Sequence, residues 1–180
     1  GIHTTPVYDE LGEYFFINGN NLINGRIFTD EKTKRVSKEE FIKHKKDLND
    51  NTILLSINGT IGNVSFYQNE KVVLGKSACY INPLKELNHV FLYYILQSSR
   101  VTKYFTSELT GSTIKNLSLE SIRETGLLIP KRQKEQQKVA DTLSSIDDLI
   151  NAQSQKIETL KLNKKGLLQG LFPDVNEHNG

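Results

Sequence analysis

From Gln133 to Leu171 apolar residues recur at alternating spacings of four and three, and this stripe constrains the chain more than any other feature. Val139, Leu143, Ile146, Ile150, Gln153, Ile157, Leu160, Lys164, Leu167 and Leu171 occupy it, and eight of these ten are apolar. With Leu143 at heptad position a, the pattern predicts a single helix carrying a coiled-coil seam. No proline falls between Pro130 and Pro173, and the interior glycines, Gly166 and Gly170, lie near the end. A helix of about 39 residues rises about 58 Å. A seam of more than four heptads exceeds what one small domain can cover, so it is expected to pack against another long helix rather than fold back. That helix belongs either to a second copy or to a missing part of the same protein. The polar seam residues Gln153 and Lys164 weaken such a pairing and are of the kind that fixes register.

The preceding residues, 1–130, read differently. Ile53–Ile57, Asn63–Tyr67, Val72–Leu74 and Ala78–Ile81 are short strand candidates, the first two flanking a turn at Asn58-Gly59-Thr60-Ile61-Gly62. Ser37 followed by Glu40 forms a capping-box pattern ahead of a short helix. Leu87 to Thr106 has helical periodicity, Leu117 to Arg123 suits a short helix, and Gly126 to Pro130 suits a terminal strand. The predicted fold is α+β: a mixed α/β globular domain over 1–130, a single long helix over 131–172 and a flexible tail over 173–180.

Charge is nearly balanced, with 23 Lys and Arg against 21 Asp and Glu. Such a chain is no indiscriminate DNA coater, and any nucleic-acid footprint must come from local clusters. The longest apolar runs are far too short to span a membrane, and no signal-peptide pattern opens the chain. One cysteine, Cys79, excludes an internal disulfide and fits a reducing cytoplasm. With no methionine in the sequence, Gly1 is not expected to be a translation start. The expectation is a processed chain or a piece of a longer one.

Catalytic constellations are scarce. His3, His44, His89 and His178 lie far apart without metal-ligand spacing. Cys79 sits among apolar neighbours and reads as core. There is no glycine-rich phosphate loop, and Asn82-Pro83-Leu84 lacks the second proline and the aromatic residue of an amino-methyltransferase motif. Asp147-Asp148 is explained by a solvated helix face. The chain is expected to be non-catalytic, with no cofactor and no metal.

What remains is a set of polar loops. Asn20 and Asn21 offer carboxamides suited to adenine edges, although turns favour the same residues. Asn58 and Thr60 are similar loop candidates for base edges or sugar–phosphate. Lys34 and Arg35, in the run Lys32-Thr33-Lys34-Arg35, together with Lys76, are phosphate candidates. Ser112, Thr113 and Lys115 join them, in a hydroxyl-rich loop leading into a helix.

The order of these segments resembles the specificity subunits of type I restriction–modification systems. The resemblance runs through Asn20-Asn21-Leu22 to Gly25-Arg26-Ile27, Leu54 to Gly62, Thr110 to Leu117 and Leu128-Ile129-Pro130. It continues through Gln136, Val139-Ala140, Leu143 and Asp147, and closes with Leu160-Lys161 and Lys164 to Phe172. It implies a target-recognition domain reading one half of a bipartite double-stranded DNA site. It also implies a long helix that pairs antiparallel, sets the half-site spacing and docks methylation subunits. Methylation and restriction would lie in separate subunits using S-adenosylmethionine and ATP. One recognition domain and one helix stand here where the family has two of each, which implies a half-subunit or a fragment. The alternative is a coiled-coil assembly module whose globular domain binds protein rather than DNA.

Overall fold

The computed structural model describes residues 2, 4–109 and 116–172. Ser112, Thr113, Lys115 and the tail at 173–180 lie outside the described residues. The chain divides into two compact units, residues 1–138 and 139–180.

The first unit is built on two small sheets and a hairpin. Strand β1 (Tyr14–Ile17) is followed by a 3-10 turn at Gly19–Asn21, then β2 (Leu22–Ile23) and β3 (Arg26–Ile27). Next come β4 (Arg35–Val36), helix α1 (Lys38–His44), β5 (Ile53–Ser56), β6 (Val64–Phe66), β7 (Val72–Leu74) and β8 (Ala78–Ile81). In one sheet β1 is central, antiparallel to β4 and parallel to β7; in the other β5 is central and antiparallel to both β6 and β8. The β2–β3 hairpin turns through Asn24 and Gly25 at φ 50° and 77°, the double positive-φ turn that suits the twist of a two-residue hairpin. It is fastened beside β6, where Phe66 N–H donates to Gly25 O at 3.0 Å and Ser65 Oγ to Arg26 O at 2.9 Å.

Strand alternation explains the layering. Ile53 and Leu55 of β5 enter one apolar cluster with Leu92, Leu96, Val101, Phe105 and Leu117, whereas Leu54 enters another with Ile17, Leu22, Val72 and Leu74. Val73, one residue out of phase, joins Ile2 and Val36 in a third. A strand buried on both faces has no polar side, which is why β5 reads as a continuous apolar run.

The four strand candidates are present, and the turn between the first two carries Gly59 and Gly62 at φ 73° and 91°. Three local expectations are corrected. The single helix over Leu87–Thr106 is two helices, α2 (His89–Leu96) and α3 (Ser99–Glu108), because the Ser98 side chain accepts from Val101 N–H and caps a new start. Ser37 caps α1 by accepting from Glu40 N–H at 3.3 Å, but the reciprocal half of the box is not made. The Glu40 carboxylate instead accepts from Val7 N–H at 3.2 Å and from Lys43 Nζ at 3.1 Å, which holds its pKa below the ordinary value, the lysine contributing most. Gly126–Pro130 forms no strand; Leu127 packs against the main core while the Pro130 carbonyl accepts from the Gln136 side chain.

Helix α4 (Leu119–Arg123) follows the Ser118 cap, and α5 runs from Gln133 to Leu171, 39 residues as expected. The first turns of α5 belong to the first unit. Gln136 is 2% exposed, accepting from Asn88 N–H at 2.9 Å and donating to Glu86 O at 3.2 Å and Pro130 O at 2.9 Å. Gln133 Nε2 donates to Lys85 O, and Asn88 Nδ2 to Gln137 Oε1, both at 2.8 Å.

Along the second unit, Val139, Ile146, Ile150, Ile157, Leu160, Leu167 and Leu171 are all exposed. Leu149 and Leu168, at the g and e positions beside the seam, are exposed too and widen the apolar stripe. No described helix is long and apolar enough to cross a membrane.

Candidate nucleic-acid interface

Three turns remote in sequence meet where β1 and β7 end and β8 begins. Leaving β1, Asn18 accepts from Ser77 Oγ through Oδ1, and Gly19 N–H donates to Ser77 Oγ, both at 2.9 Å. Gly19 has no room for a side chain: a Cβ there would lie 2.0 Å from Ser56 Oγ and 2.9 Å from Ser77 O. Ser56 Oγ in turn lies 3.2 Å from Thr60 Oγ1, and Ile57 N–H donates to Ser77 O at 2.9 Å. Leu117 N–H donates to Ile57 O at 2.8 Å, and Asn58 forms a bridge with Asn116. The roots of the loops carrying Asn20, Asn58, Thr60 and Lys76, and the segment just after residue 115, are thus tied together.

A cleft of about 440 Å³ opens beside this cluster, lined by Asn18, Asn20 and Asn21 together with Lys32, Thr33 and Lys34. Tyr8, Phe16, Ile23 and Phe28 supply its apolar surface. Asn20 is exposed. Asn21 is otherwise engaged: Oδ1 accepts from Asn18 N–H and Nδ2 donates to Phe28 O, each at 2.9 Å. Its carboxamide holds the turn together rather than presenting a free edge.

The run Lys32-Thr33-Lys34-Arg35 is not one basic patch: Lys32 and Lys34 line the cleft, whereas Arg35, the first residue of β4, does not. Lys34 lies on the cleft side, its Nζ 5.6 Å from the Tyr8 ring centroid. Arg35 pairs with Phe15 on the other face, its guanidinium 4.6 Å from that ring centroid and 3.5 Å from Gly12 O. Lys34 and Lys76 have no carboxylate within ion-pair distance among the described residues, which leaves both charges available. Asp30 is fastened inside its own loop, accepting from Thr33 Oγ1 at 2.8 Å and Lys32 N–H at 3.0 Å; the Thr33 hydroxyl chiefly lowers its pKa.

Sequence reading missed Tyr8, Ile23 and Phe28, whose apolar surfaces are exposed around the cleft. The Asn24-Gly25 dipeptide between apolar residues was the available signal, since it marks the hairpin that leads into Phe28.

No group of three or more His, Cys, Asp or Glu is placed to hold a metal among the described residues. Cys79 is buried against β5, and burial pushes its thiol up to about 11. A neutral, enclosed thiol is a poor nucleophile. Because the unfolded chain's cysteine ionises nearer the ordinary 9.0, its contribution to stability is complete below that value and is lost as pH rises towards 11. The expected result is slow alkylation of Cys79 in the folded protein at pH 8, with labelling appearing together with urea unfolding; fast labelling of the native chain would contradict the burial.

Relatives share this architecture. The family model described as the type I restriction modification DNA specificity domain matches residues 5–162. The chain is 28% identical over 172 residues to the Mycoplasma pneumoniae protein named as type I specificity subunit S.MpnORF638P, covering 93% of this chain and 41% of that one. It is 28% identical over 162 residues to the type I restriction enzyme MjaIX specificity subunit of Methanocaldococcus jannaschii, covering 90% and 34% respectively. It therefore spans well under half the length of these relatives. The crystal structure of a type I restriction-modification system S subunit from M. genitalium superposes with a TM-score of 0.61 at 23% identity, covering 92% of this chain and 40% of that one. The chain belongs to the type I restriction–modification DNA specificity domain family.

Proposed function

We propose that the chain reads one half of a bipartite double-stranded DNA target for a type I restriction–modification complex and performs no chemistry itself. The observation carrying this reading is the convergence of the Asn20, Thr60 and Lys76 turns beside a cleft edged by Lys34. Rigidly rooted polar loops with unpaired lysines are what base-edge and phosphate contacts require. Residues 1–130 act as the reader and 131–172 as the spacer helix. Its exposed seam pairs antiparallel with a second copy or with the other half of a longer subunit, and it docks the methylation subunits. Lys34 and Lys76, with Lys115, neutralise phosphates; Asn20, Asn58 and Thr60 approach base edges or sugars. The complex acts in the cytoplasm.

The test is binding of the full chain to duplexes enriched from a randomised pool, measured by fluorescence anisotropy from 50 to 300 mM salt. Each lost phosphate contact should flatten the log–log salt dependence by about 0.9. The double variant Lys34→Ala/Lys76→Ala is therefore expected to lower the slope by about two while keeping the same preferred sequence. Binding indifferent to salt, or absent, would instead favour the protein-binding alternative, which the near-balanced net charge of +2 already suits.

A further inference from the structure

Phe28 is 55% exposed, although its backbone is held on both sides. Its N–H donates to Asn21 O at 2.7 Å, and its carbonyl accepts from Asn21 Nδ2 at 2.9 Å. The next turn is closed as well, Asp30 N–H donating to Thr33 Oγ1 at 2.9 Å and Thr33 N–H to Asp30 O at 3.1 Å. The ring is thus presented by a fixed backbone, and Tyr8 and Ile23, also exposed, stand with it around the same cleft. An aromatic residue with more than half its surface kept in water by a hydrogen-bonded frame gives up much of the burial it could contribute to folding.

The surroundings identify what would cover it. Lys34 reaches the cleft with its ammonium near the Tyr8 ring, and Asn20 stands at the margin with a free carboxamide. The ligand must therefore combine an apolar protrusion, a polar edge and nearby negative charge. In the major groove thymine meets all three requirements: its C5-methyl is the one apolar projection of a base edge, O4 is an acceptor, and phosphates flank it.

We infer that Phe28, with Tyr8 and Ile23 beside it, is the specificity-determining contact for the C5-methyl of a thymine in the half-site. This rests on the DNA-recognition reading above. Asn21 is then a positioning residue, acting through the Phe28 backbone. Burial of one methyl group corresponds to about a fourfold change in affinity.

The experiment takes the duplex enriched by the full chain and replaces each thymine in turn with deoxyuridine, which removes the methyl alone. The wild-type chain should lose about fourfold at one position, and the Phe28→Ala chain should bind thymine and deoxyuridine equally well there. Phe28→Leu, which keeps an apolar surface, should retain part of the discrimination and controls for damage to the loop. An enriched sequence whose deoxyuridine profile is unchanged by Phe28→Ala overturns this inference and leaves the recognition reading standing. A pool that yields no enriched sequence overturns both.

Discussion

Gln136→Leu is expected to destabilise the first unit by about 3 kcal/mol. The carboxamide is enclosed and makes three hydrogen bonds, to Asn88 N–H, Glu86 O and Pro130 O. Leucine matches its bulk but answers none of them, and each polar group left unmatched away from water costs about 1–3 kcal/mol. Because domains are typically stable by only about 5–15 kcal/mol, the loss removes a large share. With a urea slope near 2 kcal/mol/M the midpoint should fall by roughly 1.5 M. Gln136→Glu should be no better at neutral pH. It keeps an acceptor for Asn88 N–H but sets a carboxylate against two carbonyl oxygens, and should regain stability in acid as the group protonates. A midpoint shift of less than about 0.25 M for Gln136→Leu would show that water takes the carboxamide's place.

Ile150→Asp with Ile157→Asp is expected to abolish self-association of the full chain while leaving unfolding of residues 1–138 unchanged. Both side chains lie on the exposed seam of α5. In a two-fold pairing each substitution occurs twice. At about 1.5 kcal/mol per isoleucine, the loss is on the order of 6 kcal/mol, or roughly four powers of ten in Kd. Light scattering should then show a dimer for the parent chain and a monomer for the variant. On paired half-sites the variant should lose its preference for a fixed spacer while keeping its half-site sequence. A variant that remains dimeric would place the association elsewhere than on the seam.

The long helix was legible because periodicity accumulates: a stripe sustained for more than four heptads is hard to produce by chance, and α5 spans the expected 39 residues. Strands β5 to β8 were legible for a related reason, each being rich in apolar, β-branched or aromatic residues between turn-forming ones. Strand β1 carries the same signal, as Tyr14-Phe15-Phe16-Ile17 is aromatic and β-branched, although it is not among the strand candidates above. Strands β2, β3 and β4 have two residues each, too few to display an alternation. The break between α2 and α3 could not be seen in apolar spacing because a hydrogen bond accepted by Ser98 from Val101 N–H makes it. The candidate site was half legible. Sequence named Asn20, Thr60 and Lys76 as loop residues, but their meeting depends on Gly19, Ser56 and Ser77, which look ordinary one by one. It also treated Lys34 and Arg35 as a pair, although Lys34 lies by the Tyr8 ring in the cleft and Arg35 over the Phe15 ring.

The fastening of Asn18, Gly19, Ser56 and Ser77 separates the footing of each loop from its tip. The footing is crowded: even a methyl group at Gly19 would collide with Ser56. The tips at Asn20, Thr60 and Lys76 are exposed, and of the three only the Thr60 hydroxyl reaches back to the footing, at Ser56 Oγ. If these tips read DNA as proposed, exposed tips on a shared, crowded base form an interchangeable reading head. New side chains can be tried at the edge of the protein, and through them new DNA targets, without reopening the question of whether the chain still folds.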